Sequence, residues 1–156
     1  MTGAIDRFLD AARVLGIDPD VRRFPKGTKT ARDAADAIGC DVGQIVKSLV
    51  FMADDRPVMA FTSGANRVDE AKLAVAVGAN DVRRATPEEA RAATGFAVGG
   101  TPPFGHPDRL TCVVDPDLLD WDEIWAAAGT PDSVFGLTPS ELLRVTGAVA
   151  ATFVDK

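Results

Sequence analysis

Apolar side chains recur along this chain with two periods, and the switches between them mark the elements. In AIDRFLDAARVLG, Ile5, Phe8, Leu9, Ala12 and Leu15 fall at helical spacing and the run stops at Gly16, which predicts a helix over 4–16. A short extended piece follows at Asp20–Phe24, ended by Pro25. Thr30-x-x-Asp33 starts a second helix that Gly39 closes. The runs IVKSLVFM (45–52) and PVMAFT (57–62) are rich in strand formers and read as a hairpin across ADDR. Val68–Gly78 is predicted helical, and Thr86-Pro87-Glu88-Glu89 is a helix start with Thr as cap and Pro in the first turn, running to Gly95. Residues 97–108, AVGGTPPFGHPD, hold too many glycines and prolines for a helix or a central strand. Leu110–Asp115 is a strand, 120–129 (DWDEIWAAAG) a helix capped by Asp120, Ser133–Gly136 a short strand, 138–147 a helix on a second Thr-Pro-x-Glu start, and Ala148–Val154 the last strand. A tight hairpin among alternating helices and strands argues for a mixed α/β (α+β) sheet flanked by helices rather than a regular parallel wind. Without linker or repeat, the 156 residues are expected to form one domain.

Composition narrows the class. No apolar run approaches the ~18 residues of a membrane span, and the amino terminus lacks the apolar stretch of a secretory signal, so a cytoplasmic location without membrane association is expected. Cys40 and Cys112 have no partner motif and read as reduced thiols. The net charge of −6 speaks against a protein that coats nucleic acid through bulk electrostatics. That charge is uneven, however: residues 1–111 carry fifteen basic and fifteen acidic side chains, while 112–156 carry two and eight. Basic residues cluster at Arg22, Arg23, Lys26 and Lys29 and again at Arg83 and Arg84, either as solvated faces or as landing points for one or two phosphates. Because salt screens charge beyond ~8 Å, a local cluster can hold a nucleic-acid end on an acidic protein.

Lys47 carries the most chemistry. Strand alternation puts Ile45, Lys47, Leu49 and Phe51 on one face and Val46, Ser48, Val50 and Met52 on the other, so a lysine sits midway along a strand that is apolar on both sides. An unpaired buried ammonium is costly, so Lys47 must snorkel out, meet a carboxylate, or line a cavity that takes an anion. The second feature is Gly99-Gly100-Thr101-Pro102-Pro103-Phe104-Gly105-His106, where paired glycines permit close backbone approach and prolines stiffen the bend. Such a loop can offer fixed N–H donors to a developing oxyanion. His106, the sole histidine, is a candidate general base or a structural or substrate-contacting residue. No metal-ligand spacing, phosphate loop, dinucleotide fingerprint or nucleophile elbow is present.

These segments resemble a known family. The strand Gln44-Ile45-Val46-Lys47-Ser48-Leu49, matching Q-I-V-K-[ST]-L, is followed some fifty residues later by Gly99-Gly100-Thr101-Pro102-Pro103, matching G-x-x-x-P. With TKTARDAADAIGCDVG before them and TCVVDPDLL after, residues 20–153 resemble the YbaK/prolyl-tRNA-synthetase-associated domains, the free-standing aminoacyl-tRNA editing deacylases. The resemblance implies a mixed, largely antiparallel, barrel-like sheet. It also implies hydrolysis in trans of the ester joining a wrong, small amino acid to the 3′-terminal adenosine of a tRNA(Pro)-type substrate. In the family the strand lysine contacts the terminal nucleotide or its phosphate, which maps to Lys47, and the loop lining the aminoacyl pocket maps to Gly99 through Pro103. Catalysis there is substrate-assisted, with an ordered water, and no metal or organic cofactor is expected. Phe24 and Thr30 are rim candidates by resemblance, and Ser63, Gly64, Gly105 and His106 complete the candidate substrate contacts. Pro102 stands where other members often carry a small polar residue, so the preferred amino acid does not transfer.

The expected partners are the 3′ acceptor end of an aminoacyl-tRNA and an aminoacyl-tRNA synthetase, with the chain a monomer or weak dimer. Two other readings compete. One is a non-catalytic tRNA-end or synthetase-associated binding module of the same fold, and the other is a small thiol hydrolase using Cys40 or Cys112.

Overall fold

The computed structural model describes residues 3–24 and 30–155; Lys26 and Lys29 of the first basic cluster lie outside them. Among the described residues five helices form, α1 (Ala4–Val14) on apolar spacing and α2 (Ala31–Ile38), α3 (Glu70–Val77), α4 (Pro87–Thr94) and α5 (Pro139–Thr146) on side-chain caps as well. Thr86 and Thr138 each accept from the backbone N–H three residues on, while Glu89 and Glu141 reach back to the cap N–H, so both predicted starts are complete capping boxes. Gly39, Gly78, Gly95 and Gly147 end α2–α5 in the left-handed region.

Among the described residues ten strands assemble into three sheets: β1 (Arg22–Arg23), β2 (Val46–Ala53), β3 (Arg56–Ser63), β4 (Arg67–Val68), β5 (Val82–Arg84), β6 (Thr111–Val114), β7 (Ile124–Ala127), β8 (Ser133–Leu137), β9 (Val149–Ala150) and β10 (Val154–Asp155). The main sheet has the order β5-β2-β3-β6-β9, with β1-β8-β7 and β10-β4 as smaller sheets. Most pairings are antiparallel; β3–β6 and β6–β9 are parallel. The hairpin turns through Asp54 and Asp55, both at positive φ, and the Asp54 carboxylate accepts from the Asn80 and Asp81 N–H groups, which ties the turn to the start of β5. A parallel bridge from Ile45 to Trp125 brings β7 beside the start of β2, while β5 pairs only with the far end, at Phe51–Ala53. The sheets therefore do not close into a barrel, and the outer edge of β2 between these neighbours is open.

Alternation along β2 divides the core. Val46 and Val50 join Phe8, Phe61, Phe104 and Phe135 in the larger apolar cluster, whereas Phe51 and Ala53, with Leu49 against them, belong to a second cluster around Leu73 and Phe153. Among the described residues no helix is long and apolar enough to cross a membrane.

Three element assignments from the sequence are corrected. The stretch 120–129 is not a helix: Ile124–Ala127 is strand β7, paired with Val134–Leu137. Ile124 and Ala126 enter the larger cluster while Trp125 packs with Val134 and Ile45 on the other side. Burial on both faces outweighs alanine's helix preference, which is worth at most about 0.7 kcal/mol per residue over ordinary residues. Asp120 ends a 3-10 turn, Pro116–Asp120, instead of capping a helix. The predicted last strand, 148–154, is two short ones, because the chain leaves β6 after Ala150, buries Phe153 and reaches β4 at Val154. The helix predicted from Val68 begins at Glu70, since Asp69 caps it and Arg67–Val68 pair with β10.

Candidate functional site

A cavity of ≈ 900 Å³ opens where β2 lacks a neighbour. Its lining takes in Lys47, Gly64, Ala65 and the start of α2 with Thr30 and Arg32, the apolar Val46, Val50, Ala90 and Val98, the loop residues Gly99 and Thr101, and Trp125 and Ala126 of β7. Arg84, on β5, lies on the Lys47 side with its guanidinium 5.7 Å above the Phe51 ring. Among the described residues three cations, Arg32, Lys47 and Arg84, line this cavity and no carboxylate does. In a chain of net charge −6 that is a local reversal of sign.

Lys47 is partly buried and, among the described residues, enters no ion pair. Its Nζ donates to the Asn66 carbonyl oxygen at 2.6 Å. Burial lowers its proton affinity first, the Arg84 and Arg67 charges lower it further, and Asp115 acts in the opposite direction. Lys47 thus lines a cavity with a main-chain carbonyl, and no carboxylate, as its hydrogen-bond partner.

The glycine-proline loop divides in two. Gly99, at φ +87°, and Thr101 face the cavity. The Gly100 N–H donates to the Ala97 carbonyl at 3.0 Å, and the Thr101 hydroxyl donates to the same oxygen. Prolines at 102 and 103 carry no N–H, so the N–H groups on the cavity side of the loop are those of Val98, Gly99 and Thr101. A Cβ on Gly100 would stand 2.7 Å from Thr130 Cα, so close backbone approach requires glycine there. Gly100, Pro102, Pro103, Gly105 and His106 do not line the cavity. They anchor the loop: Phe104 stacks on Phe8 at 5.1 Å and meets Phe135 edge-on, and His106 Nε2 lies 2.8 Å from the Pro102 carbonyl. A carbonyl only accepts, so Nε2 carries a proton, and burial holds the ring's proton affinity down. His106 is thus a loop brace, away from the site.

The remaining candidates are likewise divided. Thr30 lines the cavity and its hydroxyl caps α2 through Asp33 N–H at 3.0 Å. Gly64 also lines it, where a Cβ would meet the Val42 carbonyl oxygen at 2.5 Å. Ser63 is fully buried, its hydroxyl donating to Gly43 O at 2.8 Å, and Phe24 packs on the cluster around Trp125 without reaching the cavity. Burial raises the thiol of Cys112 to about 11 and raises that of Cys40, so neither forms a thiolate readily near neutral pH, and neither lines the cavity.

The sequence profile of the aminoacyl-tRNA editing domain matches residues 25–145. The chain belongs to that family. Within it, the chain is similar to proline–tRNA ligase of Lactiplantibacillus plantarum, 34% identical over 131 residues that make up 83% of this chain and 23% of the ligase. The chain therefore spans about a quarter of that relative. The uncharacterised protein YwhH of Bacillus subtilis is 31% identical over 79% of this chain and 78% of its own length. A crystal structure of a candidate trans-editing enzyme for prolyl tRNA synthetase superposes with a TM-score of 0.93 at 44% identity, covering 100% of this chain and 99% of that one. The editing-domain fold expected from the two motifs is thus present.

Sequence reasoning missed several groups at the site. Arg32 reaches the cavity through α2 without any local signal, whereas of the Arg83-Arg84 pair expected to meet phosphate only Arg84 lines the cavity and Arg83 is bound to Glu89. Asn66 receives the Lys47 ammonium and is itself held by Asp115 and Asp117, and only the Asp-Pro-Asp string at 115–117 hinted at a cap there.

Proposed function

We propose that this editing domain is a trans-acting deacylase that hydrolyses the ester of a mischarged tRNA, of tRNA(Pro) type and bearing a small wrong amino acid. The observation carrying this reading is the cavity that joins Lys47 to Gly99 and Thr101 and has cations but no carboxylate in its lining. The phosphodiester of the acceptor end meets the Lys47 ammonium, with Arg84 beside it. The aminoacyl group lies toward Val46, Val50, Ala90 and Val98, and the loop's free N–H groups face the ester oxygen as negative charge develops there. A water adds to the ester carbonyl, the carbon–oxygen bond to the ribose breaks, and the ribose oxygen leaves with a proton, which returns free amino acid and tRNA. With no thiolate or histidine base in the lining, positioning the ester beside a water and the ribose hydroxyl supplies the rate. The likeness to proline–tRNA ligases supports tRNA(Pro) and a prolyl-tRNA synthetase as partners, and charged tRNA places the reaction in the cytoplasm.

A panel of mischarged tRNAs, including Ala- and Cys-tRNA(Pro), tests this directly: release of free amino acid from at least one, above buffer, is expected. No release from any member, with retained binding of a non-hydrolysable aminoacyl-adenosine analogue, would instead establish the binding module, which the absence of a side-chain base in the lining favours.

A further inference from the structure

Behind Lys47 lies a polar network larger than a turn needs. Asn66 closes the turn after β3, its N–H bonded to the Ser63 carbonyl at 2.9 Å. Its two amide hydrogens then go to two different carboxylates, Asp115 Oδ2 at 2.8 Å and Asp117 Oδ2 at 2.7 Å. Asp115 is fully buried and accepts in addition from the Ser63 N–H at 3.1 Å and the Asp117 N–H at 3.0 Å. These bonds fix the Asn66 backbone, and its carbonyl receives the Lys47 ammonium.

We propose that Asn66, clamped by Asp115 and Asp117, is a positioning residue that aims the Lys47 ammonium into the cavity and keeps it cationic for an anionic ligand. The proposal deepens the editing reading and rests on it for the identity of that ligand. An ammonium has three N–H groups, and one held by a fixed carbonyl leaves two in a defined direction. The charged groups around it are Arg84 on β5, Arg67 on β4, Arg32 on α2 in the same cavity lining, and Asp115 and Asp117 after β6. Two of the guanidiniums and burial favour loss of the proton, and Asp115 opposes them. Without the acidic pair the strand cation would stand among guanidiniums with no compensating charge. A carboxylate placed in the cavity would do the same electrostatic work but repel phosphate. Setting it behind Asn66 keeps the lining free of negative charge.

Lys47 titration can be followed without any substrate, by competitive acetylation with acetic anhydride from neutral to alkaline pH and mass spectrometry of the Lys47 peptide. Asp115→Asn is expected to lower the midpoint, because the carboxylate that favours the charged form becomes neutral, and Asn66→Ala to lower it in the same direction, because the main-chain carbonyl that receives the ammonium is no longer clamped in place. Because Asp115 is buried, Asn66→Ala decides the matter should D115N not fold. Unchanged midpoints in folded variants overturn the proposal. In deacylation assays, N66A is expected to raise KM and to add no loss in a Lys47→Met background; an additive loss would also overturn it. A wild-type chain inactive on every mischarged tRNA refutes the editing reading, while the labelling experiment still decides the positioning role.

Discussion

At Lys47, function and stability pull in opposite directions. Burial and two guanidiniums disfavour its charged form, so below its native midpoint the group opposes folding, and that penalty fades as pH rises toward the ordinary lysine value of about 10.4. Lys47→Met, similar in shape, is therefore expected to fold with equal or higher thermal stability while deacylation falls. Removing a charged contact to phosphate costs about 2–5 kcal/mol, so a loss on the order of thirtyfold or more in kcat/KM should be read by single-turnover release. Retained activity would assign the phosphate contact elsewhere. Glu89 shows the opposite sign. The Arg83 guanidinium, followed by the Thr86 N–H, holds its carboxyl down to about 2. Its contribution is present above the ordinary carboxyl range and is lost as pH falls from about 4.3 toward 2. Denaturant midpoints of wild type and Glu89→Gln should differ at neutral pH and converge in acid.

Among the elements, the loop 97–106 works as a hinge-free bracket. Its cavity side is three residues, Val98, Gly99 and Thr101, and the rest holds them against α1, β8 and the turn before β8. Gly100→Ala would press a methyl against Thr130 Cα and the Gly129 carbonyl, backbone that cannot swing aside. Overpacking of this kind costs about 1–3 kcal/mol, and the displaced loop should raise KM for aminoacyl-tRNA beyond what the stability loss alone explains. Chemical denaturation with parallel kinetics checks both. The loop and the lysine strand were legible because each has a local signature: alternation with a misplaced charge, and glycine-proline density. Strand β7 was not, since DWDEIWAAAG carries helical caps and alanines, and only its pairing with β8 and with Ile45 makes it extended.

On the scale of the whole molecule, the sign reversal between cavity and surface controls binding. A net charge of −6 repels a polyanion at long range, while Arg32, Lys47 and Arg84 attract its end once it is within a Debye length. Binding of an acceptor-end oligonucleotide should therefore depend only gently on salt. At about −0.7 in log K per log salt for each phosphate held on a single strand, one or two phosphates give slopes near −0.7 to −1.4. A fluorescence titration, with Trp125 on the cavity wall as reporter, measures this. A much steeper slope would mean a broad tRNA-body interface and not capture of the tip.

Local chemistry in the sequence was sufficient to determine α1 from its apolar spacing, the four capped helices α2–α5, the β2–β3 hairpin, the half-buried lysine and the stiff bend, because caps, turn residues and periodic spacing act over a few residues. Only the tertiary structure decided that one edge of β2 is left without a neighbour midway, that Val98, Gly99 and Thr101 rather than the prolines or His106 line the opening, and that Asn66 and two aspartates stand behind the ammonium. Those arrangements depend on contacts between residues nineteen to more than fifty positions apart, where no local preference reaches and where burial and hydrogen-bond satisfaction choose the partner.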